Sequence, residues 1–312
     1  MEDNHPKEEK TPVLSICCTV YNHANFLEET LNGFLMQKVN FPIEILINDD
    51  CSTDDSKQII QKYVKENPGV FTPFYQKENQ YSKGVRPMTQ LLLPKARGKY
   101  IALCEGDDYW SDPNKLQQQV DFLENNSEFS MCCTNYSEVD VHGKLLKEFG
   151  WGNKYRAPVI SHLTILEDYK PKLLTSVIRK SAIPSIIPAT KKEAPNGDNF
   201  LFAQVTEKGP AAYLDFISGC YRLNEGGVWG MSTLIRQKEM QLRTFKTMKR
   251  FFVKDEEIKA INARISRIQL IMSGYYLKKM DLLQAVKLFI EALRISRKPI
   301  FHLFKVLMNK KK

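Results

Sequence analysis

Nowhere in the 312 residues is there a run of about 18 apolar side chains, the length a helix needs to cross a bilayer. No membrane-spanning helix is therefore expected. The opening stretch "MEDNHPKEEKTP" lacks an apolar core, which excludes a signal peptide, and residues 1–11 are expected to be disordered. No CxxC occurs among the seven cysteines (Cys17, Cys18, Cys51, Cys104, Cys132, Cys133 and Cys220), and most lie inside apolar runs. They read as reduced, buried thiols of a cytoplasmic protein. The vicinal pairs Cys17-Cys18 and Cys132-Cys133 should point to opposite faces of a strand, which argues against metal binding by them. The turn after the first apolar run is "YNHANF". It has no glycine fingerprint for a dinucleotide, and no Walker loop is found elsewhere.

What is present begins with charge. The net +9 is unevenly placed: from Ser232 to Lys312 there are 20 Lys+Arg against 6 Asp+Glu, and the remaining residues carry 25 against 30. A slightly acidic body is joined to a strongly basic tail. The basic residues of the tail lack an aromatic-rich sheet or a recognition motif, so no nucleic acid partner is expected. Hydrophobic residues make up 43% of the chain, enough for a substantial core.

Short apolar runs alternate with helical patterns. "VLSICCTV", "IEILI", "FTPFYQ", "YIALC" and "FSMCCTNYSEV" read as strands. Between them lie helices from "NFLEETLNGFLMQ", from the segment after an N-cap around Ser52 to Asp54, and from about Met88 to Lys95. Another is expected from Pro113 onward, with the proline at its first position. Such alternation means a parallel sheet covered by helices, in which ligands bind beyond the carboxyl ends of the strands. Topology between 150 and 230 is not assignable from pattern. From about Thr233 the pattern is helical. A helix near Glu256 to Tyr276 can pair with "DLLQAVKLFIEALRIS" like one tetratricopeptide-type unit. The latter places Leu283, Val286, Phe289, Ile290 and Leu293 on one face, with Lys287, Glu291 and Arg294 opposite.

Two acidic pairs stand at strand ends: Asp49-Asp50 and, in "CEGDDYWSDP", Asp107-Asp108. Adjacent carboxylates need a counter-charge. Turn and helix-start capping is the plainer reading, and it is stronger for Asp49-Asp50 than for Asp107-Asp108. The sharper reading is a Mg²⁺ or Mn²⁺ ion shared with substrate phosphates, with Tyr21 free to stack on a base. His23 reads as a loop residue, Lys83 and Arg86 as either phosphate contacts or solvated loop residues, and Trp110 as packing beside the site.

The segments "VLSICCTVYNHANFLEETLNGFLMQ", "IEILINDDCSTDDS" and "GKYIALCEGDDYWSDPNKLQQQVDFLE" resemble the family 2 glycosyltransferases. The likeness covers about residues 12–135 and resumes at "TSVIRKS", "NGDNFLF" and "YRLNEGGVWGMS". It implies an α/β GT-A (nucleotide-diphospho-sugar transferase) fold with a mostly parallel sheet, here followed by a C-terminal helical extension. The implied organisation is a glycosyltransferase domain at 12–232, with a nucleotide-sugar-binding half (12–135) and an acceptor half (136–232), and a basic helical extension at 233–312.

By the same resemblance Thr19, Tyr21, Asn22, Asp49, Asp50, Ser52 and Asp107 are expected at the nucleotide. Asp108, with Asp107, is expected at a Mn²⁺ or Mg²⁺ ion, and Asp198 as the catalytic base of an inverting transfer. Arg222, Gly227 and Trp229 are expected in a segment closing over the diphosphate. Relatives often carry histidine where this chain has Asn224, so any role of that histidine is not available here. The implied activity is transfer of one hexosyl or N-acetylhexosaminyl group from a nucleotide sugar, a UDP-sugar by family frequency, to a glycan or lipid-linked acceptor in surface polysaccharide or glycolipid synthesis. The QxxRW motif of processive relatives is absent. The alternative is a nucleotide- or glycan-binding module without turnover. The basic amphipathic tail suggests peripheral contact with an anionic membrane on the inner face of the cell, against the plainer reading of helices packed on the catalytic domain.

Overall fold

The computed structural model describes residues 11–151, 158–168, 171–185, 190–224 and 233–296. Three sequence expectations lie outside these residues: the disordered N-terminus, Gly227 with Trp229, and the basic stretch after 296.

In chain order the elements of the first half are β1 (Leu14–Val20), α1 (Ala24–Leu35), β2 (Ile43–Asp49), α2 (Ser56–Glu66), β3 (Phe71–Tyr75), β4 (Tyr100–Glu105), β5 (Tyr109–Trp110), α3 (Lys115–Asn125) and β6 (Met131–Val139). Then come β7 (Leu145–Lys147), β8 (Val159–Ile160), α4 (His162–Glu167), β9 (Ser176–Arg179), α5 (Gly197–Thr206) and β10 (Ala211–Arg222). Helices α6 (Leu234–Met248), α7 (Asp255–Lys278) and α8 (Leu282–Ile295) follow.

The described strands form one sheet in the order β3-β2-β1-β4-β9-β6-β10-β5, with β7 on β6 and β8 on β10. The pairs β3-β2, β2-β1, β1-β4 and β6-β10 are parallel, while β9 enters antiparallel between β4 and β6. A strand late in the chain is thus inserted between two earlier ones.

Strands 1, 2 and 4 are covered on both faces, which is why they read as unbroken apolar runs rather than alternating ones. One core layer joins Leu14, Ile16 and Cys18 to Leu27, Leu31 and Phe34 of α1 and to Leu116, Val120 and Leu123 of α3. The other joins Cys17, Leu46, Ile101 and Leu103 to Phe200 and Phe202 of α5 and to Phe245, Ile261, Ile265 and Leu288 of the C-terminal helices. Cys17 and Cys18 therefore face opposite sides, as do Cys133 and Cys132, and all seven thiols are free.

Several local expectations are corrected. The helix expected at Met88 to Lys95 is a π-helical turn over Pro87–Leu92 followed by a 3₁₀ turn, Leu93–Lys95. Pro94 has no N–H to give to a carbonyl four residues back, so a regular α-helix cannot run through it. Pro113 does not open α3. The helix starts at Lys115 after the Asn114 cap, because Asp112 Oδ1 accepts from Asn114 N at 2.9 Å and holds the intervening residues in a turn.

α8 packs on α7 through Ala285, Leu288 and Ala292. Its larger apolar face turns outward, with Leu283 85% exposed and Val286, Phe289 and Ile290 exposed as well. No described helix is long and apolar enough to cross a membrane.

Candidate active site

The loops after β1, β2 and β4 leave the sheet side by side, because these three strands pair in parallel and end at the same level: Val20 lies opposite Asp49, and Thr19 opposite Glu105. The first two loops are stitched together. Asn22 Oδ1 accepts from Thr53 N at 2.8 Å, and Asn22 N donates to Ser52 Oγ at 3.0 Å. Asp54 accepts from Ala24 N at 2.9 Å and from Ser56 N at 3.0 Å, so one carboxylate caps the starts of both α1 and α2. Asn22 (φ 55°) and Cys51 (φ 63°) sit in the left-handed region. Non-glycine residues hold that region only when their surroundings over-determine it, and they concentrate at binding loops.

Asp49 and Asp50 are both buried. Asp49 Oδ1 accepts from Ser52 N at 3.2 Å and from the Ser52 hydroxyl. Asp50 accepts from Gln80 N at 2.8 Å and Tyr81 N at 2.9 Å, one on each oxygen. Asp50 thus anchors the 80–81 loop over the end of β2. Thr19 lies half-buried with its carbonyl accepting from Gly106 N at 2.9 Å, and Tyr21 presents a ring that is 43% exposed.

After β4 the chain turns tightly through Gly106. A Cβ there would stand 2.9 Å from His23 Nδ1 and 3.0 Å from Val20 Cγ2, so glycine is what lets the acidic loop close on α1. Asp108 is only 2% exposed, and its Oδ1 accepts from Arg222 N at 2.9 Å. Burial pushes its carboxyl well above the usual range, and the carboxylates of Asp107 and Glu105 push it further. The same three acids raise the buried hydroxyl of Tyr221, again with burial as the largest cause. His23 Nε2 comes within 3.9 Å of Asp107 Oδ2.

Arg222 reaches away from this cluster. Its Nε donates to Asp107 O at 3.0 Å and Nη1 to Asp140 O at 3.1 Å, while Nη2 pairs with Glu29. It braces the backbone under the acidic pair. Asp198 lies in the first turn of α5, its Oδ1 accepting from Asn199 N at 2.9 Å. Burial raises the Tyr81 hydroxyl first, and the charges of Glu105 and Asp198 raise it further. Gly227 and Trp229 fall outside the described residues.

Some site residues escaped the sequence reading. Glu105 was in plain view within "CEGDD", one turn before the pair. Lys172 lies in a stretch without any motif, yet its Nζ stands 3.3 Å from the centre of the Tyr221 ring and its charge lowers Asp108. Lys191 packs on Tyr81, and burial brings its amine down to about 8, with Asp50 opposing that shift. Of the residues read as loop, Lys83 is an exposed partner of Glu78. Arg86 is buried instead and donates to Thr190 O and Ala194 O at 3.1 and 2.5 Å. Trp110 is fully packed, its Nε1 donating to Leu174 O at 2.9 Å.

The buried, charge-raised Asp108 beside Asp107 and Glu105 fits a hard divalent cation, whose charge would offset the repulsion among these carboxylates. The family model "Glycosyl transferase family 2" matches residues 15–177. This chain belongs to glycosyltransferase family 2.

Among curated relatives of this family 2 chain, an uncharacterised protein of Mycobacterium tuberculosis is 30% identical over 233 residues, 74% of this chain and 64% of its own length. The Escherichia coli protein named UDP-Glc:alpha-D-GlcNAc-diphosphoundecaprenol beta-1,3-glucosyltransferase is 28% identical over 73% of this chain and 85% of its own. The mannosyltransferase from Pyrobaculum calidifontis, solved with GDP-Man and Mn²⁺, superposes with a TM-score of 0.62 at 14% identity, covering 98% of this chain and 82% of that one. Residues 1–349 of Staphylococcus aureus TarS with UDP-GlcNAc superpose with a TM-score of 0.56 at 17% identity, covering 90% and 91%. These likenesses show the GT-A fold expected from the sequence.

Proposed function

We propose that this chain is a metal-dependent inverting glycosyltransferase that moves one sugar from a UDP-sugar to a lipid-linked or glycan acceptor. One arrangement carries the reading: the buried carboxylate of Asp108 just past the carboxyl end of β4, with Asp107 and Glu105 beside it in sequence. One relative, named as acting on UDP-Glc and a diphosphoundecaprenol-linked GlcNAc, supports the donor and acceptor classes, and a neighbour solved with Mn²⁺ supports the ion.

In this reading Tyr21 stacks on the base, and the Asp49–Ser52 loop, with Thr19 and Asn22, holds the nucleoside. Asp108 and Asp107 hold Mn²⁺ or Mg²⁺, which when bound neutralises charge on the departing diphosphate. Lys172 adds a cation on the same side. Asp198 takes the proton from the acceptor hydroxyl as its oxygen bonds to the anomeric carbon. The bond from that carbon to the diphosphate oxygen breaks, the nucleoside diphosphate leaves, and the anomer inverts. Arg222, by bracing Asp107 and Asp108, positions these carboxylates rather than touching the donor.

Lys287 is exposed on the same outward side of α8 as Leu283, Val286 and Phe289, not opposite them as the sequence pattern suggested. This favours peripheral contact of the extension with an anionic membrane surface, where lipid-linked acceptors reside. The test of the activity is turnover of a panel of UDP-hexoses and UDP-N-acetylhexosamines against a lipid-diphosphate-linked sugar. Release of UDP coupled to a product of inverted anomeric configuration is expected. Retention of configuration, or equal turnover by Asp198→Asn, would contradict the reading.

A further inference from the structure

Away from the active site, three helix ends from distant parts of the chain converge. His162 opens α4, Glu207 caps the end of α5, and Glu257 lies in the first turn of α7. One ligand atom from each lies within 4.8 Å of the others. Glu257 is 2% exposed, although an ionisable side chain is rarely buried without a partner.

The hydrogen bonds around the histidine fix its tautomer. The Thr206 hydroxyl gives its proton back to its own helix, at Phe202 O (2.8 Å) or Ala203 O (3.1 Å). It therefore accepts from His162 Nδ1, 3.1 Å away. With the hydrogen on Nδ1, Nε2 of the neutral ring carries a bare lone pair. That lone pair faces Glu257 Oε1 at 3.4 Å. Glu257 Oε2 is used at the helix start, accepting from Lys254 N at 3.0 Å. Nε2 and Oε1 are both buried and make no hydrogen bond. In that tautomer two lone pairs face each other, an arrangement that a cation between them relieves.

The 3.4 Å between Nε2 and Oε1 matches the ligand spacing of zinc. Zinc binds imidazole nitrogen and carboxylate oxygen at about 2.0–2.2 Å in a tetrahedron, which puts neighbouring ligand atoms roughly 3.3–3.5 Å apart. The Thr206–Nδ1 hydrogen bond is the outer-shell contact that orients a metal-binding histidine. A nitrogen ligand favours zinc over magnesium or calcium. Lys254 Nζ also stands 3.4 Å from Oε1, on a side chain that is 68% exposed and can swing into solvent.

We infer that His162, Glu207 and Glu257 form a structural Zn²⁺ site that clips the helical extension to the acceptor half of the catalytic domain, with water completing the tetrahedron. α4 and α5 belong to that half and α7 to the extension, so the ion would add to the apolar packing of residues such as Ile261 and Phe200 and to the pairing of Arg264 and Arg267 with Asp168.

The test is zinc titration by calorimetry on the untagged full chain carrying Asp108→Asn, so that the nucleotide-side acids do not contribute a second ion. One Zn²⁺ per chain is expected, together with a rise in melting temperature that Mg²⁺ does not produce. Adding His162→Gln should abolish that binding. Glu207→Gln, at an exposed position, should weaken it about tenfold or more while leaving the metal-free melting temperature unchanged. Thr206→Val should weaken it about 10–100-fold through the lost outer-shell contact. Absence of saturable zinc binding would overturn the inference. So would binding unchanged by His162→Gln and Glu207→Gln. The three groups would then be an ion-pair cluster completed by Lys254.

Discussion

The nucleotide-side loops and the C-terminal helices use their side chains in opposite ways. At the ends of β1 and β2, polar groups are spent on nearby backbone: Asn22 on Thr53, Asp54 on Ala24 and Ser56, Asp50 on Gln80 and Tyr81. These hydrogen bonds tie the two loops to each other, the preorganisation that the proposed nucleotide site would need. In α8 the small face is buried and the large apolar face is left outside. One region keeps its polar groups occupied within the protein, and the other keeps an apolar surface for something beyond it.

The comparison is broken most sharply at Asp198. Asp198→Asn should lower the transfer rate by about 10²–10⁴-fold, the usual worth of a general base, with melting temperature unchanged. A smaller fall would place the base elsewhere. Arg222→Met removes a buried guanidinium that joins Asp107, Asp140 and Glu29. It should cost about 1–3 kcal/mol in denaturant unfolding, since buried acceptors lose their donors, and should weaken Mn²⁺ binding along with it.

Within α8 the two faces separate cleanly. Ala292→Leu inserts volume against α7 and should destabilise by about 1–3 kcal/mol. Leu283→Ser on the outward face should change stability by less than about 0.5 kcal/mol while reducing binding to vesicles containing anionic lipid. Vesicle binding unchanged by Leu283→Ser combined with Phe289→Ser would remove the membrane reading.

Lys115 gives a pH-dependent contrast. It is fully buried, donating to Gln119 Oε1 at 2.6 Å and lying 4.5 Å from the centre of the Trp110 ring. Burial lowers its amine from 10.5 to about 8. Between these values the unfolded chain holds a proton that the folded one has lost, so this residue adds stability as pH rises from about 8 to 10.5 and carries its penalty below. Lys115→Met should therefore be more stable than the parent near pH 7 by about 1 kcal/mol or more, with the gain shrinking toward pH 10.5. Parallel stability-pH curves for the two proteins would contradict this.

What was legible in the sequence follows the same division. The parallel strands could be read because they are buried on both faces, and the acidic pairs because they end those strands. Asp107-Asp108 stood out as carboxylates in sequence contact. Glu105 was overlooked because one extra acid at the end of a strand carries no pattern of its own. Lys172, Lys191 and Tyr81 were invisible for another reason: they reach the site through contacts spanning many residues, as Lys191 does to Tyr81. Periodicity found the apolar face of α8 but not which face is buried. Close helix packing favoured the alanine side, and apolar pattern alone does not decide between them. Proline 94 broke a helix that the pattern around Met88 suggested, a local veto that outranks periodicity.

The central claim is that the acids at the end of β4 bind a metal-chelated nucleotide. Calorimetric titration of the full chain with UDP, GDP and TDP, each with and without Mn²⁺, tests it most directly. Saturable UDP binding that requires Mn²⁺ and disappears in Asp108→Ala is the expected result. Metal-independent binding, or no binding of any of the three, would contradict it and leave the family fold serving as a binding module without transfer.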